Sequence, residues 1–134
     1  MKASDVSLIL TTTEGHFTVP EVPQLYVQIQ THRAEIEKRL ERQISFEDAL
    51  YSWMENIYHP IMSAILDSFR LQLVSEGKRI SEIYFEVYDI AQEDDFKSID
   101  EAVRTYIEKH GVSFLQLLSA LVHHRRHVFC GEAI

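Results

Sequence analysis

The chain has 134 residues, 46% of them apolar and 25% charged, which is enough for one domain with a sizeable core and excludes wholesale disorder. Its 13 basic and 21 acidic side chains give a formal charge of −8, which repels phosphate backbones over long range and disfavours nucleic acid as a main partner. Cys130 is the one cysteine, so an internal disulfide is impossible and a reducing compartment is expected. With no membrane-length apolar stretch and no signal-peptide core in the first ten residues, a cytoplasmic location without membrane contact follows as the expectation.

Residues 1–20 read as an extended arm or small hairpin. Val6 to Thr13 is rich in β-branched residues, Glu14-Gly15 suggests a turn, and His16-Phe17-Thr18-Val19 follows as a second short run. Pro20 and Pro23 end that segment and can open a helix. From Val22 the period becomes helical, with Val22, Leu25, Tyr26, Ile29, Ile36 and Leu40 on one stripe and Arg33 as its polar break. Ser45 before Glu47 and Asp48 marks the next helix start, with Phe46, Ala49, Leu50, Trp53 and Ile57 as its apolar face. Trp53, Tyr58, Tyr84 and Tyr88 are assigned to the core. The His59-Pro60 step is expected to break or kink this helix. Ile61, Ile65, Leu66 and Phe69 carry a further stripe to about Ser75, where Gly77 and Lys78 suggest an end.

Residues 80–91 have strand composition around Ile83-Tyr84-Phe85, yet Ile80, Ile83, Tyr84, Val87, Tyr88 and Ala91 hold helical spacing over three turns. Helix is the assignment. Ser98-Ile99-Asp100-Glu101 and Ser113-Phe114-Leu115-Gln116 are capping boxes, with Gly111 placed to end the helix between them. Ala102, Val103, Tyr106 and Ile107 line the first of these helices, and Phe114, Leu117, Leu118, Leu121 and Val122 the second.

Two parts of the chain resemble one another. Leu25-Tyr26-Val27-Gln28-Ile29 matches Ile83-Tyr84-Phe85-Glu86-Val87 in type and order, and the eleven residues from Ser45 match those from Ser98. A duplicated helix–turn–helix unit is the physical reading, each unit needing a neighbour to cover its apolar face. The expected fold is therefore an all-α bundle of five or six helices in one domain. Residues 1–20 form the arm, 22–76 the first unit, 80–110 the second and 113–129 a closing helix.

His32-Arg33, Ile44 through Ala49, Trp53 and Tyr58-His59-Pro60-Ile61 resemble a helical region at the C-terminal end of bacterial ParB-like and transcriptional-regulator proteins. In those proteins a similar second unit follows, as Ile83-Tyr84 onward does here. The resemblance spans roughly residues 17–109 and rests on packing residues and caps. It implies an accessory helical module. The ParB/sulfiredoxin-like domain that precedes such regions has no motif in these residues, so no catalytic residue carries over.

The densest chemistry lies at the C-terminal end. His123 and His127 stand at i and i+4, the spacing that lets two imidazoles share a metal, and Cys130 follows one turn later. A fourth ligand is not evident, and a basic helix end that favours its own dipole explains the cluster without metal. Arg125, Arg126 and His124 are candidates for contact with an acidic partner, including helix one or Asp94-Asp95 of a second copy. Glu55 and His59 also stand at i and i+4, but the Glu-x-x-His spacing of carboxylate-bridged sites never occurs. No nucleophile elbow, phosphate loop or Cys-x-x-Cys pair is present. The expectation is a non-enzymatic, self-associating interaction or regulatory module without cofactor; a metal-binding protein and an accessory DNA-associated regulator are the alternatives.

Overall fold

The computed structural model describes residues 1–111. Regular structure among them is helical throughout, which bears out the all-α bundle. The expected arm is overturned at once: residues 3–12 form helix α1 (Ala3–Thr12). Its β-branched residues suggested a strand, but three threonines satisfy themselves locally. The hydroxyls of Thr11, Thr12 and Thr13 donate to the carbonyls of Ser7, Leu8 and Ile9 at 2.8, 2.8 and 2.7 Å, so each hydroxyl is satisfied within the helix end. Ile9 and Thr13, one turn apart, are both fully buried. Glu14 and Gly15 then take left-handed conformations and turn the chain. Phe17 is a core residue rather than part of a hairpin; its ring lies 5.4 Å from Tyr84 and 5.6 Å from Phe85.

A single 3-10 turn (Val19–Glu21) leads into α2 (Val22–Leu40), with both prolines at tolerated first-turn positions. Val22, Leu25 and Ile29 are buried as the stripe required, whereas Leu40 at its far end is exposed. Arg33, the polar break, spans to the next loop, where its Nε and Nη2 donate to the Ile44 carbonyl at 3.0 and 2.7 Å. Ser45 caps α3 (Phe46–Trp53) by accepting from the Asp48 amide at 3.1 Å.

Pro60 does not break the helix. Instead α3 passes through a π turn (Met54–Tyr58) into α4 (His59–Asp67). The His59 amide reaches back five residues to the Met54 carbonyl. A wider turn just before the proline relieves the clash that its ring would make in a regular helix. The real break comes at Ser68, whose extended backbone ends α4 and whose hydroxyl caps α5 (Phe69–Val74). Phe69, assigned to the buried stripe, lies past this break and faces solvent, and Leu66, before it on α4, is also exposed.

Residues 80–93 are helix, α6 (Ile80–Glu93), burying Ile83, Tyr84, Val87, Tyr88 and Ala91. Ser98 accepts from the Glu101 amide to cap α7 (Ile99–His110). Counting α3, the π turn and α4 as one rod, the described residues hold six helical rods. The expected closing helix at 113–129 lies outside the described residues.

α2 packs on α3 and α6 on α7. Matching positions of these two pairs share their environment: Ala49 and Ala102, Leu50 and Val103, Trp53 and Tyr106 are all buried. One aromatic-rich core joins them, in which Tyr58 stands between Trp53 at 5.2 Å and Tyr84 at 5.4 Å. Two of the buried phenols find acceptors, Tyr58 at the Thr13 carbonyl (3.1 Å) and Tyr84 at Gln28 Oε1 (2.9 Å). Burial pushes the acidity constants of both phenols up, so each stays a neutral donor.

Candidate functional site

Chemistry-bearing side chains come together at three places among the described residues. The first crosses from α2 to α3. His32 Nε2 lies 2.8 Å from Ser52 Oγ, and Asn56 Nδ2 donates to the same oxygen at 3.2 Å and to the Ser52 carbonyl at 2.8 Å. A serine on an imidazole is the core of nucleophilic catalysis. However, Ser52 sits inside a helix, where the neighbouring amides are committed to the helical ladder and cannot form an oxyanion hole. No carboxylate among the described residues hydrogen-bonds His32. Burial holds the imidazole below the usual histidine range; Glu35 pulls it back up and Arg39 adds to the lowering. The arrangement ties two helices together.

The second place is the end of the second helix pair. His110 Nε2 contacts a Glu86 carboxylate oxygen, and Lys78 Nζ lies 3.2 Å from His110 Nδ1 and 3.7 Å from Glu86 Oε1. An ammonium group can only donate, so in this geometry Nδ1 is the acceptor from Lys78 and Nε2 faces Glu86 as the donor. The Tyr106 ring lies against the imidazole at 4.5 Å between centroids. Each charged group here answers another, and the cluster clamps the loop before α6 to both helices.

The third is a groove of about 490 Å³ where α1, packed on α2, leaves a gap along α3 and the π turn. Leu8, Leu50 and Met54 supply its apolar lining, and Glu47, Glu55 and His59 its polar members. Tyr51 belongs to the same groove yet is 69% exposed. Thus Glu55 and His59, whose spacing suggested a shared helical face, do line one recess. The π turn keeps them on one side where a helix break was expected to part them. Among the described residues no three His, Cys, Asp or Glu side chains converge as a metal site needs.

The residues that the sequence singled out as metal candidates (His123, His127, Cys130) and as partner contacts (His124, Arg125, Arg126) lie outside the described residues. What sequence reasoning missed is the groove. Its signal was an aromatic residue, Tyr51, standing off the apolar stripe of its own helix. Its far wall, Leu8, was hidden by the assignment of residues 1–20 to an arm. No described helix is long and apolar enough to cross a membrane. Comparison with protein-family models, curated proteins and solved structures finds no match to this chain.

Proposed function

We propose that this protein is a non-enzymatic helical interaction module that associates with a second copy of itself through the α1–α3 groove. The observation that carries the reading is Tyr51, exposed to 69% at the edge of a recess lined by Leu8, Leu50 and Met54. A large aromatic side chain in solvent beside an apolar recess marks an interaction surface more often than a catalytic one. A two-fold contact needs both features on the same patch, because each copy then places its tyrosine in the recess of the other. The groove also holds His59 along with Glu47 and Glu55, so a two-fold can set unlike groups opposite one another. The accessory role implied by the resemblance to regions of ParB-like proteins accords with a module of this kind.

Two copies of charge −8 repel one another, so added salt should strengthen the association. Light scattering on the full chain tests the proposal. The mass should rise with concentration, and Tyr51→Ser should hold it at that of one chain. A wild-type mass that stays monomeric to high concentration and high salt rejects the reading.

A further inference from the structure

Polar groups without partners collect at one further place, a recess of about 380 Å³ between α2 and α6. The sequence sets Gln24 and Gln28 one turn apart on α2, and Phe85 and Asp89 one turn apart on α6, so each pair shares the face that lines the recess. Its size falls at the small end of ligand pockets, which span about 300–1,000 Å³.

Two deep-set side chains carry unused hydrogen-bonding capacity here. Gln28 is 6% exposed and Tyr88 5%, and both line the recess. The Gln28 oxygen is taken by the Tyr84 phenol at 2.9 Å. That bond fixes the orientation of the carboxamide and leaves Nε2 without a partner among the described residues. The Tyr88 phenol has none there either, and neither group is sealed from the recess as Trp53 Nε1 is from solvent. Water satisfies such groups in the free protein. A ligand acceptor that reaches both replaces it.

Charge indicates what else the ligand carries. Asp89, exposed at the rim, forms no ion pair or hydrogen bond among the described residues. Burial, then Glu86 and Glu93 on the same helix, hold its carboxyl above the usual range, with no cation to pull it down. Glu35, one turn beyond Thr31 on α2, is a second carboxylate near Tyr88. Burial first, then Glu35 and Asp89, push that phenol up to about 12. No Lys, Arg or His lines the recess. Its field therefore draws cations. Val27, 63% exposed, and half-buried Phe85 supply an apolar wall.

We propose that this recess binds a small organic amine in its ammonium form, with the cation on Asp89, an apolar body along Val27 and Phe85, and a neutral acceptor such as a carboxamide oxygen on Gln28 Nε2 and the Tyr88 hydroxyl. This site does not rest on the Tyr51 groove, and either can fail without the other. The test uses para-(aminomethyl)benzamide, which carries an ammonium, a flat apolar ring and a carboxamide. Titrated into the isotope-labelled full chain and followed by two-dimensional NMR, it should shift the Gln28 side-chain amide and the backbone amides of residues 24–31 and 85–92 to saturation. Amides around Tyr51 should stay in place. Para-methylbenzamide lacks the ammonium and benzylamine lacks the acceptor, and each should bind about fivefold more weakly, the worth of one exposed ion contact or one hydrogen bond. Asp89→Asn keeps the size of an exposed side chain and should weaken the full probe by the same factor while leaving para-methylbenzamide unaffected. The proposal is overturned by an absence of saturable shifts up to millimolar probe, or by shifts confined to residues outside the recess. Either analogue binding as tightly as the full probe, or Asp89→Asn binding it undiminished, overturns it as well.

Discussion

Replacing Trp53 with alanine tests the packing of the whole fold, because this side chain is fully buried where the α3–π–α4 rod meets the aromatic core. Large aromatic-to-alanine changes in packed cores cost about 3–5 kcal/mol. One feature lowers the expectation within that range. Trp53 Nε1 meets no acceptor among the described residues, and a buried unpaired donor costs about 1–3 kcal/mol in the wild type. The alanine variant loses that penalty along with the ring, so a net loss of about 3 kcal/mol is expected. At a urea slope of about 1.5 kcal/mol per molar, the midpoint followed by circular dichroism should fall by about 2 M. Trp53→Phe keeps most of the apolar surface and deletes the unpaired N–H, so it should cost only about 1 kcal/mol. A shift below about 0.5 M for alanine would refute the burial argument. A phenylalanine variant as damaged as the alanine one would show that the indole N–H is bonded and contributes.

Tyr58→Phe removes the phenol donor to the Thr13 carbonyl, which still accepts from the His16 amide at 3.3 Å. A loss of about 1 kcal/mol, the net worth of one hydrogen bond, is expected in the same urea titration; an unchanged midpoint contradicts the assignment. His32 supplies a pH dependence whose sign follows from its depressed acidity constant. The folded state holds the imidazole neutral more strongly than the unfolded chain does. Its contribution is therefore fully present above the unfolded value of about 6.5 and is lost progressively as pH falls below it. Thermal melts between pH 8 and 5 should show a steeper decline for the wild type than for His32→Gln, and parallel slopes would reject this role.

Much of the fold was legible where periodicity and caps agreed. Ser45 and Ser98 each precede an apolar stripe with acids in the first turn, and both cap helices as read. Residues 80–91 hold strand-forming types, yet helical spacing over three turns prevailed because Tyr84 and Val87 both had a core to enter. The failures share a cause: local composition was overridden by partners distant in sequence. Val6, Ile9, Thr11 and Thr12 are β-branched, but Ile9 and Thr13 are drawn into the core, and the Thr13 carbonyl takes the phenol of Tyr58. Pro60 was expected to break or kink a helix, and a π turn just before it carries the chain through. Ser68, which carries no sequence signal as strong as proline, made the break instead. Phe69, which follows that break, faces solvent. Tyr51 off the stripe of α3 was the groove's one signal in the sequence, and the pairing of its walls was hidden because α1 and α3 are separated by the whole of α2.

Sedimentation equilibrium of the full chain across a wide concentration range, at low and high salt, addresses the self-association claim most directly when Tyr51→Ser and Phe69→Ser are run beside the wild type. The account predicts a wild-type dimer that tightens with salt, a Tyr51→Ser variant that stays monomeric with an unchanged melting temperature, and a Phe69→Ser variant that still dimerises. A monomeric wild type under every condition, or a Tyr51→Ser variant that dimerises as well as the wild type, would contradict it.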